Sequence, residues 1–175
     1  MQSLSVLSPG LDNDAKIVLS GFPGLIIRQN GTLDLCQDTL AREMLRLVDN
    51  GVALLVGLVE DEELGCVVYE DVIDAAQRVR IETTRFPLPD FSVPLPARED
   101  DWQRVLFSAT YMLRQGSSVA LHCLAGDGRS GLLAACLLVD LGFSSQNALR
   151  EVRAIRPGAI ETDTQLDYLF SRSGA

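Results

Sequence analysis

The stretch Val119-Ala120-Leu121-His122-Cys123-Leu124-Ala125-Gly126-Asp127-Gly128-Arg129-Ser130-Gly131 constrains this chain more than any other. It runs from a short apolar strand through a glycine-bearing loop into the start of a helix. Five residues separate Cys123 from Arg129, and Ser130-Gly131 follow at once. A loop that wraps back on itself turns its backbone N–H groups inward, and Gly126 and Gly128 permit the φ/ψ values this requires. The helix that starts near Arg129 brings its positive end to the same point. Arg129 can grip two oxygens of a phosphate-like dianion with its planar fork. In such cationic surroundings the thiolate is the favoured form of Cys123, which places a nucleophile beneath an electrophilic phosphorus.

His-Cys, five residues, then Arg-Ser-Gly resembles the signature of the cysteine-dependent protein tyrosine and dual-specificity phosphatases. The strand before it and the apolar helix Gly131-Leu132-Leu133-Ala134-Ala135-Cys136-Leu137-Leu138-Val139 after it suit that resemblance. Three further stretches are similar to the cyclin-dependent-kinase-associated group of these enzymes. They are Leu19-Ser20-Gly21-Phe22-Pro23-Gly24, the helix around Ala134-Ala135-Cys136, and Gly158-Ala159-Ile160-Glu161-Thr162 followed by Gln165 and Tyr168-Leu169. The resemblance implies one compact domain over residues 1–175, of α/β class, with a central, mainly parallel sheet flanked by helices. It also implies hydrolysis of phosphotyrosine, and of phosphoserine or phosphothreonine, through a phosphocysteine on Cys123.

Charge and composition narrow the partners. The formal charge of −9 disfavours nucleic acid and anionic membrane surfaces. Any anion site must therefore be local. The four cysteines (Cys36, Cys66, Cys123, Cys136) form no CxxC or His/Cys cluster, which argues against a structural metal and a disulfide scaffold. No secretory leader or membrane-length apolar run is legible, so a cytoplasmic monomer without cofactor or metal is expected, acting on a phosphoprotein or phosphopeptide.

Along the chain, strands are expected at 16–20, 24–27, 52–59 and 80–86, and another leads into Cys123. The eight-residue apolar run at 52–59 suits a central strand buried on both faces. Residues 60–63 read as an acidic surface turn. Helices are expected at 38–48, 70–78, 100–114, 130–141, 145–155 and 162–172, from apolar spacing and from end signals such as Asp49-Asn50-Gly51. This alternation is the pattern of a parallel sheet covered on both sides.

A proline-punctuated loop, Phe86-Pro87-Leu88-Pro89-Asp90-Phe91-Ser92-Val93-Pro94, places Asp90 33 residues before Cys123. In the phosphatases it resembles, a loop at about this separation carries an aspartic acid that protonates the leaving oxygen. Such general acid catalysis contributes ~10²–10⁴ in rate. Asp100 and Asp101 are fallback candidates, though they suit the start of a helix better. The resemblance further implies that residues Leu124, Ala125, Gly126, Asp127, Gly128 and Arg129 bind phosphate. It implies that His122 holds the loop, that Ser130 donates to the Cys123 sulfur, and that Gln165 positions the attacking water.

Asp127 departs from the family pattern, in which an apolar or basic residue is common. A carboxylate facing the substrate would oppose a dianion by about 1 kcal/mol across a solvated 4 Å contact; one turned outward would not. Lys16 is the only lysine, so the loop lacks the lysines that help some relatives bind inositol lipids. A phosphatase of a small phosphometabolite or phosphoinositide, and a non-catalytic phosphoprotein-binding module, are the alternative readings. Sulfur transfer and arsenate reduction also use cysteine loops. The five-residue spacing to Arg129 speaks against the first, and the late position of the loop in the chain against the second.

Overall fold

Three strands whose residues alternate between two apolar cores form the centre of the molecule. The computed structural model describes residues 4–172. In chain order these hold β1 (Ser5–Leu7), β2 (Ile17–Ser20), β3 (Leu25–Ile27), β4 (Leu33–Leu35), α1 (Gln37–Asp49), β5 (Val52–Gly57), α2 (Glu70–Arg78), β6 (Glu82–Arg85), α3 (Glu99–Arg114), β7 (Ser118–His122), α4 (Gly128–Asp140), α5 (Ser145–Ile155) and α6 (Asp163–Ser171). Five strands form one sheet in the order β1-β2-β7-β5-β6, with β1 antiparallel and the other neighbours parallel. β3 and β4 form a separate antiparallel hairpin.

Successive side chains on a strand point to opposite faces, and the interior positions of these strands are apolar on both, with one register shift in β5 between Val52 and Leu54. Ile17, Leu19, Leu54, Val56, Val119 and Leu121 face one core, which α3, α4, α5 and α6 cover. Val18, Val52, Leu55 and Ala120 face the other, under α1 and α2. A strand buried on both faces reads as a continuous apolar run, which is why 52–59 was legible. α4 runs beneath the site and is buried throughout from Gly128 to Leu138. Each of its buried leucines contributes roughly 1.5–3 kcal/mol relative to exposure.

The structure departs from the sequence reading at edges and ends. β1 and β4 were not foreseen, because three residues are too few to show a period. The strand expected at 80–86 narrows to Glu82–Arg85, with Arg80 in the left-handed region at φ 62°. The run at 52–59 stops pairing at Gly57, and Leu58 and Val59 continue as buried loop. The expected acidic surface turn is a single 3₁₀ turn, Asp61–Leu64, that carries Glu63 inward.

Register sets the level at which the loops begin. His122 lies opposite Ser20 on β2 and Gly57 on β5, so three parallel strands end together. Ligand sites of open parallel sheets lie outside the carboxyl ends of the strands, and here four loops converge there. Backbone bonds stitch them: Phe22 N–H to Leu124 O (3.0 Å), Leu58 N–H to His122 O (2.9 Å) and Leu88 N–H to Leu58 O (3.0 Å). Gly57 is required by close approach, since a Cβ there would lie 1.9 Å from Tyr69 Oη and 2.9 Å from His122 Nε2. Gly57→Ala is therefore expected to destabilise the fold by about 1–3 kcal/mol through overpacking. A lowered urea midpoint would show this, and an unchanged midpoint would contradict it.

Candidate active site

Strand β7 delivers Cys123 to the mouth of a loop, residues 124–129, that turns directly into α4. Gly126 makes the turn with φ +90°, and a Cβ there would lie 2.5 Å from the Ser20 backbone. Only glycine meets both demands. The Gly126 N–H donates to Cys123 Sγ at 3.2 Å, and Ser130 Oγ lies 3.6 Å from the same sulfur. Cys123 is buried, and the N-terminal end of α4 points toward it. An N–H, a hydroxyl and the start of α4 thus surround one sulfur.

His122 is wholly buried beneath this loop. Its Nε2 lies 2.7 Å from Tyr69 Oη and its Nδ1 3.3 Å from Cys123 O. A carbonyl only accepts, so Nδ1 carries the proton and Nε2 accepts from the tyrosine hydroxyl. Burial pushes the His122 pKa down to about 4, with the charges of Arg85 and Arg129 acting the same way against the bond to Cys123 O. The imidazole is therefore a neutral brace for the loop. Tyr69 stacks on it and carries Arg85 over its own ring at 3.9 Å to the centroid.

Arg129 is 1% exposed and reaches two segments. Glu63 takes Nη1 and Nη2 in a bidentate pair, the Nη2–Oε2 contact measuring 2.8 Å. The Leu88 carbonyl accepts from Nη1 at 2.9 Å, and Asp90 Oδ1 lies 3.2 Å from Nη2. Nε is buried with no hydrogen-bond partner among the described residues, which leaves it as a donor for an anion in the loop. Desolvation pushes the Glu63 carboxyl up, but the Arg129 bond, the Glu60 N–H and the arginine charge outweigh it and leave its pKa lowered.

Asp90 stands half-exposed on the proline loop beside Arg129. Asp100 and Asp101, the fallback acids, lie in the first turn of α3, where Asp101 pairs with Arg104. Asp127 turns from the thiol to Arg156, whose Nε lies 2.7 Å from its Oδ1 and whose Nη2 donates to Ala125 O at 2.8 Å. The departure at Asp127 thus pins the loop from outside. Leu124 joins the α1–α2 core, and its carbonyl holds Phe22.

Gln165 differs from the sequence reading. It is fully buried; its Oε1 accepts from the Glu161 N–H at 2.9 Å and its Nε2 donates to Ser92 O at 3.2 Å. Both ends of its amide are engaged by backbone, so it does not present itself to water in the way the resemblance implied. Glu161 instead approaches the loop: a Cβ at Gly128 would fall 2.2 Å from its Oε2. Burial, Asp127 and Asp90 raise the Glu161 pKa, against a bond from the Gly128 N–H and the pull of Arg129.

Sequence reasoning missed Glu63, Tyr69 and Glu161. Glu63 lies 66 residues from its partner, and nothing local marks it. Glu161 stood in a quoted stretch, and only the contact with Gly128 reveals its place.

Residues 33–168 match the family described as "Swiss Army Knife protein, DSP-PTPase phosphatase domain", and the chain belongs to that family of tyrosine and dual-specificity phosphatase domains. It is similar to protein tyrosine phosphatase type IVA 3 of Mus musculus, 36% identical over 89 residues that make up 51% of this chain and 50% of that protein. The chain spans about half the length of the type IVA relatives it matches. Cyclin-dependent kinase inhibitor 3 of Rattus norvegicus is 28% identical over 174 residues, covering 92% of this chain and 81% of the relative. Among solved structures, a kinase associated phosphatase whose catalytic-site cysteine is substituted by serine superposes with TM-score 0.77 at 25% identity, covering 96% of this chain and 92% of that one. The active form of Tk-PTP gives TM-score 0.67 at 28% identity, covering 96% and 97%.

His122 is the only histidine, so it reports on the site without interference. Its ring resonances are expected to stay unchanged from pH 8 to pH 5 and to titrate only near pH 4; titration near pH 6.5 would contradict the buried brace. Unfolding raises the histidine pKa from about 4 to about 6.5, so the unfolded state binds more protons between those values. Stability should therefore fall as pH drops through that window.

Proposed function

We propose that this chain hydrolyses phosphate monoesters on phosphoproteins, at phosphotyrosine and at phosphoserine or phosphothreonine, through a phosphocysteine on Cys123. The observation that carries the reading is the arrangement around Arg129. A buried guanidinium whose Nε has no partner among the described residues lies at the end of the loop, with the thiol, held by the Gly126 N–H, and the Asp90 carboxylate beside it.

In the first step the Cys123 thiolate attacks phosphorus in line as the ester P–O bond breaks. Arg129 and the amides of residues 124–129 neutralise the equatorial oxygens, and Asp90 gives its proton to the departing oxygen. In the second step water attacks the phosphocysteine and its proton passes to the Asp90 carboxylate. The P–S bond breaks, and sulfur leaves as thiolate, supported by the Ser130 hydroxyl and the Gly126 N–H. His122 stays neutral and takes no part in proton transfer.

The carboxylates of Glu63, Asp90 and Glu161 lie close to the loop, which disfavours polyanionic inositol lipids against a singly phosphorylated side chain. With chelator present, wild type is expected to hydrolyse an aryl phosphate and phosphopeptides. Cys123→Ser should abolish this, and Asp90→Asn should lower it by ~10²-fold or more on phosphotyrosine peptide. Activity that survives Cys123→Ser would overturn the thiolate mechanism. Phosphopeptide binding without turnover in wild type would favour the non-catalytic module.

A further inference from the structure

Asp90 sits at the tip of its loop, where Pro89 and Phe91 are also exposed, between the buried Leu88 and Pro94. Phe91, the next residue, is 55% exposed and takes the left-handed conformation at φ 59°, uncommon for a residue with a side chain. Before Asp90, Arg98 Nη1 donates to Pro87 O at 2.6 Å. After it, two side chains from the start of α6 hold the backbone. Thr162 Oγ1 donates to Phe91 O at 3.2 Å, and Gln165 Nε2 donates to Ser92 O, also at 3.2 Å.

Neither bond is an accident of helix capping. Thr162 caps α6 by accepting from the Gln165 N–H, and its hydroxyl proton remains free to go elsewhere. Gln165, one turn into the chain after Thr162, is wholly buried. A buried primary amide must satisfy its oxygen and its nitrogen, and here the two partners are the Glu161 N–H and the Ser92 carbonyl. The glutamine thus joins the segment that bears Glu161 to the loop that bears Asp90. Removing it would leave the Ser92 carbonyl and the Glu161 N–H without those partners.

We infer that Gln165 and Thr162 are positioning residues that latch the Asp90 loop over Arg129, so that the acid is in place before substrate arrives. This rests on the phosphatase reading and deepens it by assigning what holds the acid. It assigns Gln165 to the leaving-group step and not to the attacking water. A general acid must lie within hydrogen-bond reach of the oxygen it protonates, so a loosened loop lowers only the reaction that needs the proton.

The test compares wild type, Gln165→Ala, Thr162→Val and Thr162→Ser on two substrates. One is a phosphotyrosine peptide, whose phenoxide needs protonation. The other is an aryl phosphate with strongly electron-withdrawing substituents, whose phenoxide leaves unaided. Gln165→Ala is expected to lose ~10-fold or more in kcat/KM on the peptide, a part of the full general-acid contribution, and to stay close to wild type on the activated ester. Thr162→Val should show the same selectivity, and Thr162→Ser, which keeps the hydroxyl, should behave as wild type. Placed on Asp90→Asn, Gln165→Ala should add no further loss. Equal losses on both substrates, additive losses with Asp90→Asn, or a fall in kcat with kcat/KM retained would each overturn the latch.

Hydrogen exchange over residues 90–94 gives a reading independent of turnover. Gln165→Ala and Thr162→Val should speed exchange there relative to wild type, and unchanged exchange in both would overturn the inference. Faster exchange in variants of a wild type that hydrolyses neither substrate would support the latch and reject the phosphatase reading alone.

Discussion

The burial of Arg129 governs the architecture of this end of the molecule. A guanidinium that is 1% exposed must be paired, because an uncompensated buried charge costs several kcal/mol. Its partners come from two separate places: Glu63 from the turn after β5, and the Leu88 carbonyl and the Asp90 carboxylate from the loop after β6. The arginine therefore fixes the relative placement of those two loops and its own. Removing Glu63 would do more than delete an ion pair, since it would free both Nη nitrogens from the turn after β5.

The same logic extends outward in hydrogen bonds and one further ion pair. His122 is kept uncharged by burial and satisfied at both nitrogens, so it can brace the Cys123 carbonyl without competing for protons. Asp127 and Arg156 hold the outer side of the loop, and Gln165 with Thr162 hold the acid loop. These supporting groups already have their own partners. That is the condition for a preorganised site, in which little has to rearrange when charge develops.

What the sequence made legible follows from range. The loop of residues 123–129 could be read because its chemistry is local: two glycines, an arginine and a serine at fixed offsets from one cysteine. The strand at 52–57 and the helix at 128–140 were legible because burial on both faces, or on all sides, leaves an unbroken apolar run. Asp90 was reached through the resemblance, which implies an acid on a loop at about this separation from the cysteine, and it lies beside Arg129. Glu63 was illegible because its role depends on a partner 66 residues away, and in its local context it is one acid among several on a turn. Gln165 was noticed for the right segment and the wrong contact, since only packing reveals that both ends of its amide are engaged. β1 and β4, at three residues each, were too short for a period of two to register.

The central claim is that phosphoryl transfer passes through sulfur, and the most direct test is to trap the intermediate. Wild type mixed with radiolabelled phosphopeptide and quenched within milliseconds should carry phosphate on Cys123, mapped by proteolysis and mass spectrometry. The label should decay at a rate no slower than turnover. Product formation with no labelled Cys123 at any time, under conditions that preserve a thiophosphate ester, would contradict the account.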